Sequence, residues 1–207
     1  MMTDQNLELI IETLRSKFKC HTALLYGSRA RGQAGPTSDY DVVGICKRGS
    51  KTRVAKKVNG VYWDLFVYPE KDLNKLSDQR LDWRNAKILF QKDNYGKLLI
   101  QRVQKLVKKP FKPEPQWEIA VTIAWAEKQL ERIAEGDVHG LFRRAEIQNA
   151  AISHYFQIRK KRYWGPKAGL QWLEKNDPKG FNLFSKVYRS PANSNALKAL
   201  VAYVYKV

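Results

Sequence analysis

Between Leu24 and Ile45 the chain reads LLYGSRARGQAGPTSDYDVVGI, and two parts of that stretch could do chemistry. Gly27-Ser28 is a small-residue pair, and ten residues later stand two carboxylates, Asp39 and Asp41, with only Tyr40 between them. The acids run directly into the apolar Val42-Val43, so the segment reads as a strand with both carboxylates on one face and Tyr40 and Val42 on the other. Like charges side by side in a sheet repel, so something positive is expected between them. A divalent metal such as Mg²⁺ is the simplest candidate, because hard cations take oxygen ligands, usually one or two carboxylates plus waters and substrate phosphates. Paired ions roughly 4 Å apart can hold both the attacking and the leaving oxygen of a phosphoryl displacement. A glycine ending a strand lets backbone approach a ligand, and N–H groups opening a helix favour anions. A serine hydroxyl there can donate to a phosphate oxygen. The ordinary alternatives are a plain turn at Gly27-Ser28 and a solvated strand edge at Asp39/Asp41.

Several elements must position these residues. An amphipathic helix opens the chain, with Leu7, Ile10, Ile11 and Leu14 on one stripe. Thr22–Gly27 reads as a buried strand, Ser28–Gln33 as a short helix, Gly35–Ser38 as a loop and Asp39–Cys46 as the next strand. Asn59-Gly60 between two valine-flanked runs signals a hairpin, since both residues tolerate positive φ. Its second arm, Val61–Tyr68, alternates and puts Tyr62, Asp64, Phe66 and Tyr68 on one face. Lys87–Gln91 is a further strand candidate, and a helix is expected near Lys97–Lys108. Lys108–Gln116 carries three prolines in six residues and reads as a linker. Beyond it the apolar period becomes helical: Ile119, Ile123, Ala126, Leu130 and Ile133; Leu141, Ala145, Gln148, Ile152 and Tyr155; Leu197, Leu200, Val201 and Val204. That pattern implies a bundle, with Trp117, Trp125 and Trp172 in its core. The expected organisation is an α/β (α+β) domain over 1–109, then an all-α helical domain over 110–207.

Composition narrows the function classes. At 207 residues and 43% apolar, the chain can bury a proper core. Neither Cys20 nor Cys46 belongs to a C-x-x-C pair, and the three histidines are scattered, so a structural zinc site is not expected. Few cysteines favour a reducing compartment. The start lacks a basic head and an uninterrupted apolar stretch, and Ile119–Ala126 is too short to span a bilayer; a soluble, cytoplasmic protein with no membrane partner is expected. The net charge is +18, with 22 basic and 11 acidic residues in 1–109 and 16 and 9 in 110–207. A surface this positive attracts polyanions. P-loop and Rossmann glycine patterns do not occur.

Gly27-Ser28, the ten-residue gap and Asp39-Tyr40-Asp41 together resemble the signature of the DNA polymerase β-like nucleotidyltransferase superfamily, most of all its minimal and aminoglycoside-type bacterial members. The resemblance implies a mixed β-sheet flanked by helices for residues 1 to about 109. It implies that Asp39 and Asp41 bind Mg²⁺, as a pair of ions, and that a third carboxylate on a later strand completes the site and can activate the acceptor hydroxyl. Asp64 in YWDLFVY matches that position; the plainer reading is a surface acid on an edge strand paired with a lysine of the hairpin. The helical second half resembles, more loosely, the acceptor-side domain of longer members.

The expected activity is transfer of an NMP unit from an NTP (ATP among them) to a hydroxyl, releasing pyrophosphate. Arg29 and Arg31, just after Gly27-Ser28, could reach the triphosphate or could be solvated helix cations. Arg159–Lys167, RKKRYWGPK, packs Arg159, Lys160, Lys161, Arg162 and Lys167 around an aromatic pair. Such a mixture suits nucleotide or single-strand contacts, to triphosphate or acceptor, and equally suits the C-terminus of a helix. An aminoglycoside acceptor needs an acidic cleft, so the positive surface points instead to an RNA end or a hydroxyl on a partner protein. The alternative is a catalytically silent nucleotidyltransferase-like fold that binds nucleic acid or neutralises a partner, as an antitoxin does.

Overall fold

The computed structural model describes residues 4–76, 78–134 and 136–206. They fall into two compact units, Met1–Pro110 and Phe111–Val207. Among the described residues no helix is long and apolar enough to cross a membrane.

The first unit is a mixed five-stranded sheet with flanking helices. In chain order it runs α1 (Gln5–Ser16), β1 (Cys20–Tyr26), the single turn α2 (Gly27–Ala30), β2 (Tyr40–Cys46), β3 (Thr52–Val58), β4 (Val61–Pro69), β5 (Lys87–Phe90) and α3 (Tyr95–Lys108). The strand order is β3-β4-β2-β1-β5. β2 and β4 are parallel, and the other neighbours are antiparallel. The Asn59-Gly60 turn forms as expected, both residues at positive φ (47° and 80°), and it sets the β3–β4 register at Val58↔Val61. α2 is one turn rather than the six residues expected. Glu70–Asn85 holds two 3-10 segments, Glu70–Leu73 and Asp78–Asn85, that hydrophobic period did not reveal. They bury Leu73, Leu81 and Trp83.

Strand alternation decides what each face carries. Ala23, Leu25, Val42, Trp63, Leu65 and Val67 point toward Ile10 and Leu14 of α1 and form the core there. Gly44 lies so close under α1 that an added Cβ would sit 2.7 Å from Cys20 Sγ and 2.9 Å from Leu14 Cδ2. The opposite face carries Leu24, Val43 and Ile45, buried on the side where α3 packs against β1. Asp41 and Asp64 belong to this second face, Asp41 near the start of β2 and Asp64 in the first half of β4.

The second unit is all helix: α4 (Gln116–Ile133), α5 (Val138–Ile158), α6 (Pro166–Asn176), α7 (Pro178–Arg189) and α8 (Ser194–Tyr205). Ile119, Ala126, Ile152, Tyr155, Leu197, Leu200, Val201 and Val204 from the three periodic stripes are buried together with Phe184 and Leu173. Three expectations fail: Ala145 of the α5 stripe is exposed, and two larger side chains are as well. Trp117, placed in the core by its sequence neighbours, is 65% exposed in the first turn of α4, and Leu141 is 60% exposed near the start of α5. Each lies at the end of a helix, where no neighbouring helix of the unit covers it. Trp125 and Trp172 pack against the core but stay half-buried.

Asp177 ties this unit together. It ends α6, caps α7 by accepting from the Gly180 N–H at 3.0 Å, and accepts from the hydroxyls of Tyr155 (2.6 Å) and Tyr203 (2.7 Å). Burial alone would raise its pKa, but these hydrogen bonds and the nearby Arg159 charge hold the carboxyl below its ordinary value. A depressed carboxyl stabilises the fold above its unfolded pKa and loses that contribution as pH falls through the folded one. Asp177→Ala is therefore expected to cost about 1–3 kcal/mol in urea denaturation at pH 7, where a cap and two charge-assisted bonds disappear together. The gap to wild type should narrow below pH 4; a gap that is constant with pH would contradict the charge assignment.

Candidate active site

The strand register brings the acids together. Asp41 on β2 faces Asp64 on the parallel strand β4 and Tyr26 on the antiparallel strand β1. Asp39 stands exposed just ahead of β2, two residues from Asp41. Half-buried Asp41 has its pKa pushed up to about 6, first by burial, then by the charges of Asp39 and Asp64; Asp82 adds to this and Arg31 partly offsets it. The Tyr26 phenol is raised as well, by burial first and then by Asp41 and Asp64. Both shifts report one condition, an excess of negative charge in a partly desolvated corner.

Gly27 explains how the corner is closed. It follows β1 directly with φ +71°, a conformation that side chains rarely adopt. A Cβ there would run into the Asp41 carboxylate, with Asp41 Cγ only 2.9 Å away. The Asp41 carboxylate thus rests on bare backbone at the mouth of α2. Ser28, the next residue, is buried.

Arg29 and Arg31 take different roles. Arg29 turns back onto the chain: its Nη2 donates to the Ser38 carbonyl at 2.7 Å, its Nε to the Asp39 carbonyl at 3.1 Å, and its guanidinium lies 3.9 Å over the Tyr40 ring. Tyr40 in turn donates to both carboxylate oxygens of Asp4 (2.7 and 2.8 Å), the N-cap of α1. The Tyr40 phenol is pushed up to about 12, by burial and then by the Asp4 hydrogen bond. Arg29 therefore fixes the approach to β2, and the triphosphate contact expected of it is at odds with these bonds. Arg31 is exposed, with Nε 3.2 Å from Gln33 Oε1, and its charge is felt at Asp41.

Asp64 is already paired. Arg53 of β3 holds both its oxygens, Nε to Oδ1 at 2.8 Å and Nη2 to Oδ2 at 2.9 Å, while stacking 4.8 Å from the Phe66 ring. The plainer reading of Asp64 foresaw a hairpin lysine on an edge strand. The partner is instead an arginine, and the edge strand is β3, with β4 inside the sheet. Among the described residues, no three His, Cys, Asp or Glu side chains gather closely enough to hold a metal ion. Asp39 and Asp41 nevertheless fit a divalent cation: they are oxygen donors, and the raised Asp41 pKa marks charge that a cation would neutralise. Asp64 can join them only by leaving Arg53.

In the helical unit, Arg159 does not face outward. It donates to the carbonyls of Val204 (3.1 Å) and Tyr203 (3.0 Å) and lies 3.9 Å over the Tyr155 ring. These bonds anchor the end of α8. Lys160, Lys161 and Lys167 are exposed, and Arg162 is half-buried 5.4 Å from the Trp164 ring. Sequence reasoning missed Arg53 and Asp82. Arg53 was within reach, because a two-residue turn at Asn59-Gly60 pairs Ala55 with Asp64 and Arg53 with Phe66, on the acid's own face. Asp82 lies in a 3-10 segment with no periodic signal.

A carboxyl raised above its unfolded value of 3.8 binds protons better when folded, so its charge weakens the fold above about pH 6, and that penalty fades as pH falls toward 4. Asp41→Asn is therefore expected to melt higher than wild type at pH 8 in EDTA, with the difference closing toward pH 4–5. Melting curves that coincide at all pH values would show that Asp41 carries no such strain.

Residues 8–102 match the "Polymerase beta, Nucleotidyltransferase" family model. A solved structure, that of a nucleotidyltransferase-like protein from Exiguobacterium sibiricum 255-15, is similar at a TM-score of 0.42 and 13% identity, over 96% of this chain and 73% of that one. No curated protein matches the chain. The matched span takes in the mixed sheet, Gly27 and all three aspartates, and over these residues the chain is similar to the polymerase β-type nucleotidyltransferase family.

Proposed function

We propose that the protein is a Mg²⁺-dependent nucleotidyltransferase that moves an NMP unit from an NTP to a hydroxyl acceptor. The acceptor oxygen bonds to the α-phosphorus as its proton leaves, and the bond from that phosphorus to the departing pyrophosphate breaks. The observation that supports this reading is the Asp41 carboxylate, raised to about 6 between Asp39 and Asp64 and seated on Gly27. Asp39 and Asp41 would hold the metal. When bound, the metal supplies positive charge at the phosphoryl oxygens. Gly27 and Ser28 form the backbone and hydroxyl wall on the phosphate side, with Arg31 as the exposed cation beside them. Arg29 orders the residues leading into β2. Asp64, once parted from Arg53, can take the acceptor proton, and Arg53 is then released toward the developing negative charge. Catalysis of this kind is mostly positioning and charge stabilisation.

A second reading has its own observation. The bidentate Arg53–Asp64 pair satisfies the third carboxylate without any metal, as suits a silent fold that binds nucleic acid or masks a partner. The two readings separate cleanly. Pyrophosphate release or label transfer with each NTP, in the presence of cell extract as acceptor source, is expected for wild type. Asp39→Asn and Asp41→Asn should each lower it by at least ~10²–10³-fold, the loss seen when one transition-state-stabilising group is removed. Activity equal to wild type in both variants would sink the metal assignment. Absence of transfer, together with polyanion binding indifferent to Mg²⁺ and to Asp39, would establish the silent reading.

A further inference from the structure

The helical unit has a pocket of its own. It is an open cavity of about 290 Å³ lined by Phe156, Lys161, Arg162, Trp164, Ala168, Gly169 and Trp172. Its shape follows from the end of α5. Lys160 takes a left-handed conformation (φ 53°), the Lys160 N–H donates back to the Gln157 carbonyl (2.9 Å), and the Lys161 N–H donates to the Phe156 carbonyl (2.8 Å). This left-handed cap folds the chain over the last turn of the helix and sets Lys161 beside the aromatic wall. Gly169 lets α6 close from the other side, since a Cβ there would lie 3.0 Å from Tyr163 and 3.2 Å from Phe156. Lys161 Nζ lies 4.9 Å from the Trp172 ring, and Arg162 Cζ lies 5.4 Å from that of Trp164.

Indole faces beside cations suit a planar base with a phosphate attached, because every base has a face to stack and the phosphate needs neutralising. The volume stands at the small end of the roughly 300–1,000 Å³ of ligand pockets, which is room for one nucleotide unit. The surrounding charge argues for a strand over a free nucleotide. Of the unit's sixteen cations, nine lie between Arg159 and Arg189, against two of its nine acids. Lys160, Lys167, Lys175, Lys179, Lys186 and Arg189 are all exposed outside the pocket, where a mononucleotide would not use them.

We propose that this pocket binds one nucleotide of a single-stranded nucleic acid, the base stacked on Trp164 and Trp172 and a phosphate at Lys161, while the neighbouring lysines follow the strand. That the strand is the acceptor of the transfer rests on the reading above; that it binds here does not. The test uses the full chain in EDTA, with fluorescence anisotropy of a short labelled single-stranded RNA at several salt concentrations. Binding that weakens steeply with salt is expected. Trp164→Ala should weaken it roughly 5- to 150-fold, the equivalent of one lost base stack. Ala168→Phe, which fills the pocket without changing charge, should do the same, and Lys161→Ala should flatten the salt slope by about 0.7, one phosphate contact. Circular dichroism and melting of each variant identify any that misfold. RNA binding left intact by both Trp164→Ala and Ala168→Phe would overturn the proposal, as would a duplex or a free mononucleotide competing as well as the strand, or no binding at all. Because no step here requires metal or transfer, failure of the pocket and failure of the active site are told apart.

Discussion

Three carboxylates share one corner of a small sheet, and their mutual repulsion is the constraint to which the rest of the first unit answers. Asp41 and Asp64 are neighbours because β2 and β4 run parallel in register, and Asp39 follows the same line two residues earlier. Nothing in the core requires them: the apolar residues of these strands already fill both faces further along. The raised Asp41 carboxyl marks the excess of negative charge in this corner, and the cations beside it, Arg31 and Arg53, are exposed. Arg29, by contrast, is spent on backbone. It joins α2 to the start of β2 and, through Tyr40 and Asp4, to the cap of α1, so that the most repelled residues are carried on a rigid frame.

The same division between held and available cations recurs in the helical unit. Arg159 is drawn inward to the carbonyls that end α8, while Lys160, Lys161 and Lys167 next to it are left in solvent. In both units one arginine of a basic run is structural, and it is the one whose guanidinium can stack on a tyrosine ring and reach carbonyls at once. Arginine's planar, always-charged fork suits that double duty better than lysine's single point charge.

How far the sequence reveals these arrangements depends on how local each signal is. The alternation around Val42-Val43 and the Asn59-Gly60 turn involve neighbours only, and the strands, their faces and the hairpin register all follow from them. The helical stripes are equally local, and most of their inner positions are buried as read, Ala145 excepted. Trp117 and Leu141 depart because a stripe says which side of a helix is apolar but not where the neighbouring helix ends. The two 3-10 segments have too few turns to show a period, so Asp82 and Trp83 were out of reach. The carbonyl contacts of Arg29 and Arg159 lay out of reach for another reason. Charge and spacing place a cation near a site, whereas the carbonyls that capture it belong to residues brought up by tertiary structure.

The hairpin at Asn59-Gly60 works as a ruler. Because side chains alternate with a period of two, adding or removing one residue in either arm would turn Arg53 to the opposite side of β3 and leave Asp64 facing its fellow acids without a counter-charge. Substitutions at position 53 can tune the third carboxylate gradually, from guanidinium to ammonium to neutral, but changes of length cannot. The count of residues from turn to acid is thus a mechanical constraint on the corner, set by a turn that itself lies exposed to solvent.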